Sequence, residues 1–121
     1  MRRLRPVLGW LCGAAVFAGL AGGALAASGD WSRNDHVEMR LISAVEAVGD
    51  RKTLPLGLQF RMKPGWKLYW RTPGDAGFPP RPIWQGSENI ADVAVKWPAP
   101  KRFSIFGLET LGYVDEVILP L

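Results

Sequence analysis

The sequence predicts an all-β sandwich, and three observations carry that prediction. Short stretches of period-two alternation recur along the chain, 14 Gly and 10 Pro punctuate them, and no segment sustains the 3.6-residue period of an amphipathic helix. The nearest helical candidate, residues 42–48, is too short to stand alone. With 121 residues the ceiling is one small domain, and with 48% of them hydrophobic a packed core can form.

The first segment stands apart from that fold. Arg2, Arg3 and Arg5 precede an apolar, small-residue run from Val7 to Leu20, and Ala24-Leu25-Ala26 is the small-x-small pattern that signal peptidase reads. Residues 1–26 therefore read as a secretory signal peptide and residues 27–121 as the exported domain. The Gly- and Ala-rich second half of the segment weighs against a transmembrane anchor. Leu11 before Cys12 does not fit a lipoprotein signal, which places a small residue there. Losing three arginines leaves twelve basic residues against 11 acidic ones, so the formal charge of +4 mostly reports the signal and implies no nucleic-acid partner. The only cysteine leaves with it, so the exported part has no disulfide and relies on its apolar core.

Residues 27–35 are polar and irregular, an exposed start. Val37, Met39 and Leu41 then alternate with Glu38 and Arg40, which predicts a half-buried strand. His36, the only histidine, has no second ligand at metal spacing and is assigned no chemistry. Gly49-Asp50-Arg51-Lys52 is a turn signal closing this strand. The clearest strand follows, with Leu54, Leu56, Leu58, Phe60 and Met62 on a core face and Pro55, Gly57, Gln59, Arg61 and Lys63 on a wet one. Pro55 and Gly57 suggest an edge position or a bulge. Pro64-Gly65 predicts a tight turn, with the next strand returning antiparallel as a hairpin.

Residues 64–82, PGWKLYWRTPGDAGFPPRP, are the stretch around which the rest is arranged. Trp66, Leu68 and Trp70 share one face of a strand, with Lys67, Tyr69 and Arg71 on the other. Beyond Thr72 the prolines remove N–H donors, and Gly74 and Gly77 permit angles that other residues resist, so neither a helix nor a central strand continues. Two readings stand: a rigid turn packing its own aromatics, or a recognition loop using Trp66, Tyr69, Trp70, Gly74, Asp75 and Gly77.

Residues 82–84 offer a short extended piece. Val93, Val95 and Trp97 alternate with Ala94 and Lys96 as a further strand, which Pro98 and Pro100 stop. Residues 103–107 read as an apolar loop with a Gly exit that needs a cover or a partner. Gly112-Tyr113, then Val117, Leu119 and Leu121, predict a final strand cut off where an edge needs pairing. Glu109, Asp115 and Glu116 read as solvated strand-end charges.

The runs GWKLYWRTPGDAGFPP, WPAPKRF and FGLETLGYVDEVILPL resemble the N-terminal periplasmic domain of the thiol:disulfide interchange protein DsbD family, including its suppressor-of-copper-sensitivity relatives. The resemblance covers essentially all of residues 27–121. It implies an immunoglobulin-like antiparallel sandwich, here incomplete at its C-terminus, that sits in the periplasm and carries electrons. The implied partners are a membrane-embedded donor domain and periplasmic thiol/disulfide oxidoreductases. In that family a cysteine pair past the LPL-type strand does the redox work under an aromatic cap loop. The cap maps here onto Phe103, Ile105, Phe106 and Gly107, with Phe106 as the capping side chain. Exchange requires a thiolate attacking a disulfide sulfur, so residues 27–121 cannot perform it themselves.

Two other classes stay open on the residues alone. Six tryptophans invite a secreted carbohydrate-binding module, although most alternate in phase with Leu and Val as core residues do. A non-catalytic protein-binding sandwich that pairs an open edge strand is the other. No His, Ser or paired-carboxylate constellation supports an enzyme class, and no catalytic, cofactor-binding or metal-ligating residue is assigned.

Overall fold

Two antiparallel sheets carry the regular structure of residues 27–121, the part of the chain that the computed structural model describes. The signal peptide expected over residues 1–26 lies outside the described residues. The first sheet contains β1 (Ala27–Ser28), β2 (Ser32–Arg33), β3 (Val37–Ser43), β4 (Leu56–Met62) and β8 (Glu116–Pro120). Its order is β1-β3-β4-β8, with β2 also paired to β3. The second holds β5 (Leu68–Gly74), β6 (Lys101–Ile105) and β7 (Leu108–Tyr113) in the order β5-β7-β6. The expected all-β, immunoglobulin-like sandwich is the fold observed.

The alternation read in the sequence explains where the core sits. Leu58 lies opposite both Leu41 and Leu119, Phe60 opposite Met39 and Val117, and Met62 opposite Val37, so their side chains share one face. Leu58, Phe60, Met62 and Leu119 are buried there with Tyr113 of the second sheet, and Leu68, Trp70, Trp84, Val95 and Trp97 pack around them. Met39 and Leu41, nearest the edge, remain exposed, because the second sheet has only three strands to lay over five.

Several expectations are corrected. The β4 strand is central, not an edge: β3 and β8 occupy its two sides. Gly57 instead makes room for side chains, since a Cβ there would stand 2.9 Å from Ile118 Cγ2 and 3.1 Å from Ile42 Cγ1. With both of its sides taken, β4 cannot form a hairpin with the strand after Pro64-Gly65. That strand crosses to the second sheet and pairs with β7. The outer face of β4 is not simply wet either. Gln59 is buried on it, accepting from Arg40 Nε at 2.7 Å and donating to the Glu116 carboxylate.

The polar start at residues 27–35 forms two short strands on β3 instead of an irregular tail. The extended piece at 82–84 and the run at 93–97 are not strands. Val95 and Trp97 keep the expected alternation in their packing, but among the described residues this run's backbone bonds to other backbone only through Lys96 N–H, to Pro120 O at 2.7 Å. The expected final strand is two strands in different sheets. After β7 the chain turns at Asp115, whose φ is +62°, and enters β8, which pairs with β4 along its whole length. Leu119 is thereby the most deeply buried side chain of the core.

Candidate functional site

The apolar loop expected over residues 103–107 is the end of a β-hairpin. Phe103, Ser104 and Ile105 belong to β6, and Ile105 pairs with Leu108, leaving Phe106-Gly107 as a two-residue turn. Both turn residues have positive φ, +51° and +79°, as the hairpin turn that matches strand twist requires. A Gly after the end of one alternating run and before the start of the next is the signal for this turn. It was obscured because an aromatic residue occupies the position where Asn or Asp is usual. Phe106 is fully exposed, at 102% of its reference area, while Phe103 and Ile105 are half-buried.

The stretch read either as a rigid turn or as a recognition loop is divided by the structure. Trp70 packs into the core with Leu68. Trp66 lies outside β5 and stacks on His36, with ring centroids 3.5 Å apart and planes at 15°. Tyr69 and the loop after β5 form a separate unit. A Cβ on Gly77, whose φ is +99°, would meet the Tyr69 ring at 2.5 Å, so the loop backbone lies directly against that ring. The strand also runs further than expected, through Pro73 to Gly74. A register shift between Tyr69 and Gly74 on the sheet's edge accommodates the missing proline N–H.

Asp75 brings the two candidate regions together. Its N–H donates to Glu109 O at 2.9 Å, and its Oδ2 accepts from Glu109 N at 2.9 Å. Gly74, with φ of +94°, permits this clamp, because a Cβ there would stand 2.5 Å from Glu109 O. Tyr69, Gly74, Asp75 and Gly77 therefore brace the β7 arm of the hairpin, with the Asp75 clamp one residue pair from the Phe106-Gly107 turn. On the β6 side, Lys67 Nζ lies 4.8 Å from the Phe103 ring centroid, a cation–π contact that residue spacing did not reveal.

The remaining polar groups are structural. Tyr113 donates its hydroxyl to Pro98 O at 2.7 Å, and burial pushes its pKa up, against a smaller lowering by Arg71. Hydrogen bonding from Gln59, then the nearby Arg61 and Arg40, holds the Glu116 carboxyl below its ordinary range despite some desolvation. Trp31 packs against both Arg40 and Arg61, whose guanidinium carbons are 4.5 and 4.4 Å from its ring centroid. Among the described residues, no group of three or more His, Cys, Asp and Glu could hold a metal ion.

A family model for the N-terminal part of the thiol:disulfide interchange protein DsbD matches residues 38–121. The chain belongs to this family. Among solved structures it is similar to the N-terminal periplasmic domain of ScsB from Proteus mirabilis, with 33% identity and a TM-score of 0.63. That match covers 77% of this chain and 37% of the ScsB chain, so it spans little more than a third of the longer molecule. No curated protein matches. In this DsbD-family chain, the hairpin and its brace fall wholly within the matched residues.

Proposed function

We propose that the chain is part of an exported thiol/disulfide interchange domain that passes reducing equivalents from a membrane-embedded donor domain to periplasmic oxidoreductases. Residues 1–26 direct export, and the mature protein begins at Ala27. The β6–β7 hairpin tip shields a redox cysteine pair supplied from outside residues 27–121, since those residues contain no thiol.

Phe106 is the observation that carries this reading. A bulky residue held at φ +51° costs about 1–2 kcal/mol, and here it also leaves an aromatic ring entirely in solvent. Such a residue makes physical sense where its ring has something to cover. Ile105 stiffens the turn through its pairing with Leu108, and the Asp75–Glu109 clamp holds the β7 arm just behind it. Covering a thiolate or disulfide sulfur controls the one variable the attacking partner depends on, access.

The coding sequence downstream of codon 121 and the N-terminal mass of the periplasmic protein test this together. The expected outcome is a cysteine pair, an N-terminus at Ala27, and thiol alkylation accelerated severalfold by Phe106→Ala. Retention of Met1, absence of a cysteine pair, or an alkylation rate indifferent to Phe106 overturns the corresponding part of the reading.

A further inference from the structure

Each sheet edge but one is blunted. The outer edge of β3 carries β1 and β2, and β8 is bonded on its far side through Lys96 N–H to Pro120 O. The β5 edge is interrupted by its register shift and by Pro73. The β6 edge has none of these devices: its five residues, KRFSI, contain no proline, run in unbroken register with β7, and have no outer partner among the described residues.

The two-residue turn settles which groups that edge offers. Ile105–Leu108 closes the hairpin, so Ile105, Phe103 and Lys101 exchange backbone bonds with Leu108, Thr110 and Gly112. The intervening residues, Arg102 and Ser104, direct their N–H and C=O groups away from β7. The charges on the strand itself have one sign. Lys101 and Arg102 are exposed on the strand, and Lys67 covers Phe103. Glu109 meets Arg102 at 3.9 Å in an exposed pair that neutralises little, and Asp115 and Glu116 line a cavity with Lys101. At the other end stand the apolar Ile105 and the exposed Phe106.

We propose that β6 is a docking edge that takes an extended, acidic segment of a partner polypeptide by strand addition. Its carboxylates lie along Lys101 and Arg102, and its apolar residues lie toward Ile105 and Phe106. A second copy of this chain is disfavoured, because antiparallel β6–β6 pairing sets Lys101 opposite Ile105 and Arg102 opposite Ser104, and so brings neither cation a carboxylate. The inference is independent of the redox reading, since strand addition needs no thiol.

Titration of isotope-labelled protein with a short capped peptide carrying glutamates in one half and valines in the other tests it by NMR. The expected result is slowed exchange of the Arg102 and Ser104 amides, binding that weakens with salt, and no binding of the matching lysine–valine peptide. Ser104→Pro removes an outward N–H without touching a bond to β7, and should weaken binding by up to about tenfold at an unchanged fold. Lys101→Glu with Arg102→Glu leaves the backbone intact and should reverse the peptide preference, so the test survives if the proline variant does not fold. Absence of binding, equal binding of both peptides, an unreversed preference, or a native dimer dissolved by Ser104→Pro overturns the proposal.

Discussion

Across the five-stranded sheet, registers are regular and the close contacts are between side chains, as where Phe60 lies between Met39 and Val117. Across the three-stranded sheet, backbone meets backbone. A Cβ on Gly112 would stand 2.4 Å from Leu68 O, and one on Gly74 would stand 2.5 Å from Glu109 O. The first sheet is specified by what its side chains fill, the second by what its glycines leave empty. That difference puts tight backbone packing and positive-φ residues beside the candidate site.

Removing volume from the first sheet should have the largest effect. Phe60→Ala is expected to cost about 3–5 kcal/mol in chemical denaturation, since a buried ring leaves a cavity that both neighbouring strands line. A loss below about 1 kcal/mol would mean that the core collapses around the gap and that the contrast between the sheets is overdrawn.

Adding volume to the second sheet should come next. Gly74→Val and Gly77→Val each combine a positive φ with a Cβ collision, against Glu109 O and the Tyr69 ring respectively, and should cost about 1–3 kcal/mol. Unchanged melting temperatures in both variants would show the brace to be dispensable. Smaller and opposite in sign is Phe106→Asn, which should stabilise by about 1 kcal/mol by placing a residue suited to positive φ in the turn. Stabilisation with faster alkylation of the redox thiols would show that the strain is maintained for shielding.

The smallest effect belongs to the outer face of the first sheet. Glu116 has a folded-state pKa below its ordinary value, so its contribution is present above about pH 4.5 and is lost as pH falls through the folded pKa. Glu116→Gln should lower stability slightly at neutral pH, where the carboxylate contributes, and leave it unchanged below the folded pKa, so that the acid limb of a stability–pH profile flattens. An identical acid limb in native and variant protein would remove Gln59 and Glu116 from the account of that face.

Local pattern by itself determined the all-β class, the core face of β4 and the alternating burial of Val93, Val95 and Trp97, because side-chain direction in extended chain depends only on a period of two. It also located Gly74 and Gly77 as positions of positive φ and residues 103–107 as an apolar segment in need of a partner. Only the tertiary structure decided that Pro64-Gly65 sends the chain into the other sheet, since that depends on β8, more than fifty residues later, taking the place beside β4. The same holds for the Asp75–Glu109 clamp, which joins residues 34 apart in sequence. It holds too for the split of Trp66 from Trp70, and for the turn that exposes Phe106. Pairing partners and sheet membership are non-local, and no spacing within a single strand encodes which distant segment will fill its edge.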